Sequence, residues 1–165
     1  MRSAAGGGPG QLHGCGQRQP AGTTLLELAL VLAILATLLG LAYPSWQRFR
    51  AHQSLRYGAA QVATDLREAQ ERAKAERRCY RVTFTGGSSL YTVERVGGGF
   101  LHRAELPRGV AVSGGAVVIF RAFGRPGGPC DGSGPGIGYT VQLVNSAGTA
   151  EVTVSPGGGI EYTAP

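Results

Sequence analysis

Lysine is nearly missing from this chain. Of sixteen basic residues only Lys74 is lysine, and the rest are arginine. That leaves no Gly-x-x-x-x-Gly-Lys phosphate loop. The triplets Gly97-Gly98-Gly99 and Gly157-Gly158-Gly159 also lack the strand-to-helix setting a phosphate loop needs. Histidine is scarce: His13, His52 and His102 are far apart, and no nucleophile, base and orienting acid can be assembled around any of them. His102 has polar neighbours on a predicted strand and reads as exposed. These absences point away from an enzyme, and no cofactor is expected. Cysteine is limited to Cys15, Cys79 and Cys130, which excludes a disulfide-dense scaffold. Without a histidine cluster, two or three thiols also make a poor metal site, so no metal is expected.

Strong charge is missing as well. The formal net charge is +6, but Arg2 and Arg18 precede residue 22 with no acid beside them, so the remainder carries +4. From Cys79 to Pro165 six arginines face five acids, a weak footprint for a phosphate backbone. Residues 48–78 are more basic, with eight cations against four acids.

What the chain does have is a long apolar run, Gly22 to Pro44, reading GTTLLELALVLAILATLLGLAYP. Leu28 to Tyr43 holds no charged residue. At about 1.5 Å per residue, Leu25 to Tyr43 covers roughly 28 Å, close to a bilayer core. A soluble amphipathic helix keeps a polar face; this one is apolar all round and reads as a membrane helix. One acid, Glu27, stands at its entrance. A carboxylate there is costly unless protonated, hydrated or paired. Cutting between Gly22 and Thr23 would free an α-amine four residues from it, and the two charges could then neutralise each other between subunits.

The pattern Gly22-Thr23-Thr24-Leu25-Leu26-Glu27 ahead of an apolar run resembles the class III signal of type IV prepilins and pseudopilins. The resemblance implies that a prepilin peptidase cuts after Gly22 and methylates the amine of Thr23. It also implies that Glu27 guides filament assembly and that Pro44 kinks the helix. The residue after the cut is usually Phe in that family; here it is Thr23. The resemblance further places the N-terminus in the cytoplasm and the C-terminal domain in the periplasm, in a single pass of the inner membrane. Two other readings of the run stay open. A secretory signal cut at Gly40-Leu41-Ala42 would leave Pro44 just after the cut and an acid in the apolar region. A plain unprocessed anchor needs neither cut. Cys15 faintly resembles a lipobox cysteine, but no apolar region precedes it.

The rest can be taken in order. Residues 1–22 are a leader without apolar periodicity, 23–45 the transmembrane helix and 46–165 the folded domain. Leu55, Ala59, Val62, Leu66, Ala69 and Ala73 recur at spacings of three and four, one stripe of a helix running to about Arg78. From Cys79 the pattern alternates. A hairpin spans Tyr80–Phe84 and Leu90–Val96. Short strands follow at 100–106 and 110–112, then a fully apolar run, Ala116 to Phe120, expected to be a buried strand. A second hairpin covers Tyr139–Val144 and Ala150–Val154, before a last strand, Ile160–Tyr162. The expected class is α+β: a long kinked transmembrane helix packed on antiparallel sheets.

That layout, with Phe120 and Gly124 after an apolar strand and Val152-x-Val154-Ser155 before a glycine turn, is similar to the GspH/FimT pseudopilin domain. The family implies a minor subunit of a type II secretion pseudopilus or a type IV pilus, whose partners are other pilin or pseudopilin subunits. Once the leader and Cys15 are gone, Cys79 and Cys130 remain as an even pair in an oxidising compartment. They are either two unrelated thiols or, as favoured here, a disulfide tying the Gly-rich loop at 125–138 to the first strand. Some FimT-like minor pilins act in DNA uptake through a Gly-Arg-x-Arg stretch after the Val-Ser strand. Here that stretch reads Gly158-Gly159-Ile160-Glu161, without arginine, and only Arg121 and Arg125 remain as candidate DNA contacts.

Overall fold

The computed structural model describes residues 24–128, 130 and 134–165. The chain divides into two compact units, Met1–Leu39 and Gly40–Pro165. One helix, α1 (Leu25–Glu76), contributes to both. In the first unit the described residues are apolar helix with exposed side chains, such as Leu30, Leu32 and Leu35. By length and composition α1 contains a candidate membrane span. It continues unbroken past Pro44, whose missing N–H leaves the Gly40 carbonyl without its intrahelical donor.

The second unit is α+β. One antiparallel sheet has the order β3-β2-β1-β5, with β1 Tyr80–Phe84, β2 Leu90–Arg95, β3 Leu101–Glu105 and β5 Ala116–Phe120. The other has the order β4-β6-β7-β8, with β4 Ala111–Val112, β6 Tyr139–Asn145, β7 Gly148–Val154 and β8 Ile160–Thr163. Alternation along β1 and β7 buries every second side chain, as a sheet covered on one face requires.

The helix stripe fills the space over both sheets. Leu55, Ala59, Val62, Ala63, Leu66, Ala69 and Ala73 are buried in one cluster with Val82, Phe84, Tyr91, Val118, Leu143 and Val152. Much of that stripe is Ala or Gly, which lets the backbone come close: a Cβ on Gly58 would already touch Val110 and Pro107. Polar side chains fix the helix to both sheets. Gln61 donates to the carbonyl of Glu105, Arg67 to that of Ile160 (2.9 Å), and Asn145 to that of Ala51 (2.7 Å). Gln70 reaches the carbonyls of Gly124 and Gly158. Gly158 has φ +95° and so close an approach from Gln70 that a Cβ would collide with it.

Three expectations need correction. The helix ends at Glu76 and not near Arg78, because Arg77 adopts φ 51°, a left-handed turn that stops the helical hydrogen bonding. The short strands are Leu101–Glu105 and Ala111–Val112. Ala116–Phe120 is not buried on both faces: it is the edge of its sheet, with Val118 and Phe120 inward and Val117 44% exposed.

The Tyr91 hydroxyl links helix to sheet. It donates to the Asp65 carboxylate and accepts from Gln61 Nε2 (3.3 Å). Burial, followed by the bond to Asp65, pushes the Tyr91 phenol well above its usual range. A phenol raised on folding stabilises fully below its unfolded pKa of about 10, and that stabilisation is lost as pH rises further. Burial shifts Tyr80 and Tyr139 the same way. Stability should therefore fall above about pH 10. Tyr91→Phe should soften that fall while costing about 1–2 kcal/mol at neutral pH, since Asp65 and Gln61 lose their partner. Denaturant unfolding at neutral and at alkaline pH measures both effects.

Candidate functional site

The two ends of interest are the start of α1 and the loop after β5. At the first, Leu28 N–H donates to the Thr24 carbonyl (3.1 Å) and Glu27 N–H to Thr24 Oγ1 (3.2 Å). Thr24 is therefore the N-cap and Glu27 the third helical residue, the spacing of a capping box. A carboxylate in a first turn also complements the helix dipole, worth about 0.3–1 kcal/mol at an exposed site. Glu27 is exposed, with only apolar side chains following it along the helix to Ile34. It thus has a local reason to stand there besides any partner. Gly22 and Thr23 lie outside the described residues.

At the second, Cys79, just before β1, and Cys130 are joined by a disulfide with Cα atoms 5.8 Å apart. Arg121 and Cys130 border one cavity. The Arg121 guanidinium donates to the carbonyls of Gly134 (3.0 Å) and Pro135 (3.2 Å), and its backbone N–H to that of Arg125 (3.0 Å). Arg121 is 8% exposed, packed so closely on Gly127 that a Cβ there would clash with it. The sequence offers Arg121 and Arg125 together as candidate DNA contacts. That needs correction: Arg125 is exposed, but Arg121 is turned inward as a clamp for the loop. Pro126, Pro129 and Pro135 each lack an N–H, so residues 125–138 carry more carbonyls than donors, and that was the signal for such a clamp.

Neither family models, nor curated proteins, nor solved structures gave a match to this chain.

His52 and His102 are both exposed and stand on different elements. Among the described residues no three His, Cys, Asp or Glu side chains are grouped as metal ligands would be. Pattern reading passed over the exposed aromatics Tyr43 (65%), Trp46 (60%) and Phe49 (55%) just beyond the apolar run. Their spacing of three was the available signal, since it puts them along one side of the helix. The Trp46 and Phe49 rings lie 6.1 Å apart.

Proposed function

We propose that this chain is a minor pseudopilin or type IV minor pilin. It would be anchored in the inner membrane by the start of α1 and would assemble through that helix with other subunits of a secretion pseudopilus or pilus. The observation that carries this reading is a single helix with two characters. Its first part is apolar with exposed side chains, and one acid in its first turn; its later part buries a stripe of small residues against two sheets. An apolar helix with no protein partner needs lipid or the helices of other subunits around it. The folded unit then remains on the periplasmic side, its pilin-like role being to dock on or cap the filament. DNA is a weaker partner, because Arg121 serves the loop and the β-region has almost no net charge.

The experiment is an intact mass of the chain from its host membrane. The expected form lacks residues 1–22 and carries one methyl group on Thr23, both from a prepilin peptidase. A cut after Ala42, or an uncut chain, would overturn the reading.

A further inference from the structure

Within Gly40–Pro165, Tyr43, Trp46, Arg50 and Ser54 follow one another at spacings of three, four and four, which places them on one side of the helix. Arg50 borders a groove of about 250 Å³ shared with Ser54, Arg108, Asn145 and Ser146. Three elements meet there, and each is fixed. Asn145 Nδ2 donates to the Ala51 carbonyl and to Ser54 Oγ (3.3 Å), while its Oδ1 accepts from Ala147 N–H (2.7 Å). This holds the β6–β7 hairpin tip against the helix. The turn bearing Arg108 is closed by Val110 N–H to the Pro107 carbonyl (3.0 Å).

Among the described residues neither Arg50 nor Arg108 has a carboxylate at ion-pair distance, whereas Arg72, Lys74, Arg81 and Arg95 each have one. Two uncompensated guanidiniums in a groove that also holds Ser146 form a cradle for an anion, while the Ser54 hydroxyl is already given to the Ala51 carbonyl (2.9 Å). Arginine binds phosphate oxygens bidentately, which suits it to that task.

We propose that this groove holds the phosphate of an anionic phospholipid headgroup, with the acyl chains lying back along Trp46 and Tyr43. The proposal rests on the membrane reading above. Tyr and Trp collect at the headgroup level of a bilayer. Arg50, four residues past Trp46, stands about 6 Å further along the axis, on the polar side of that level. A free phosphate ion has the same recognition chemistry, but it would leave the exposed aromatic side of the helix without a role.

Trp46 is the only tryptophan, so its fluorescence reports on this site alone. The full chain is reconstituted in phosphatidylcholine vesicles containing brominated phosphatidylglycerol or, in parallel, brominated phosphatidylcholine. The anionic lipid should quench Trp46 at roughly thirtyfold lower mole fraction, the effect of two basic groups at an anionic surface. Replacing both groove arginines, Arg50→Gln with Arg108→Gln, should merge the two curves and leave the phosphatidylcholine curve unmoved. Arg48→Gln with Arg56→Gln should leave the gap intact. Equal quenching by both lipids in the original chain, or a gap closed equally by the Arg48 and Arg56 changes, overturns the headgroup site and leaves the membrane reading standing. A gap closed by millimolar inorganic phosphate assigns the groove to the free ion and also overturns the lipid. No quenching by either lipid places Trp46 outside the bilayer, which overturns the membrane reading and the proposal with it.

Discussion

Replacing Glu27 by Gln is expected to leave the protein inserted, cleaved and folded, and to cut its entry into filaments by at least about a hundredfold. The core of the folded unit begins at Leu55, so losing this carboxylate removes nothing from it. Gln also serves at the third position of a capping box, so the substitution keeps the helix start while removing the charge. That separates the two roles the geometry allows. If Glu27 is only a cap residue, Gln is nearly silent. If it neutralises the amine of Thr23 on its own or a neighbouring subunit, the variant leaves that amine buried and unpaired, at about 3–5 kcal/mol. With a factor of ten for each 1.4 kcal/mol, this gives a hundredfold or more. Glu27→Asp keeps the charge but shortens the reach, and should fall between. The measurement is co-purification with sheared filaments or with partner subunits. Equal incorporation of the Gln variant would reduce Glu27 to its capping role.

Removing the disulfide should have the largest effect on folding. Cys79 and Cys130 lie 51 positions apart, and closing a loop of that length stabilises by about 4 kcal/mol in the chain-entropy account. That is a large share of the 5–15 kcal/mol typical of a folded domain. The double change Cys79→Ser with Cys130→Ser should move the denaturation midpoint down sharply. Reductant should do the same to the original chain and nothing further to the variant. The link acts alongside Arg121, which holds Gly134 and Pro135 in the same loop. A midpoint that hardly moves would mean that Arg121 and the bridge between Gly127 and Gly136 hold the loop without the cysteines.

The helix stripe was legible because burial on a helix follows a period that a list of residues displays: all six positions from Leu55 to Ala73 are buried. The hairpins were legible for the same reason, with period two. The β5 run was misread because an apolar stretch gives no information on how many of its faces are covered. Val117 is exposed because it lies on the face of the sheet turned away from the core, and whether that face is covered depends on the neighbouring layers and not on the stretch itself. Arg121 was misread for a related reason. An arginine in a loop is usually solvated, and nothing local announces that Gly134 and Pro135 will bring their carbonyls to it.

The sequence by itself determined the elements: an apolar helix with one acid at its start, a small-residue stripe, and alternating strands separated by glycine turns. These follow from local periodicity and from backbone preferences acting over a few residues. Only the tertiary structure decided which strands became edges, that Thr24 and Glu27 form a helix cap, that Arg121 points inward while Arg125 stays outside, and that Arg50 and Arg108, fifty-eight positions apart, border one groove. Each of those depends on long-range packing, which brings together groups whose separation in the chain carries no signal of their contact.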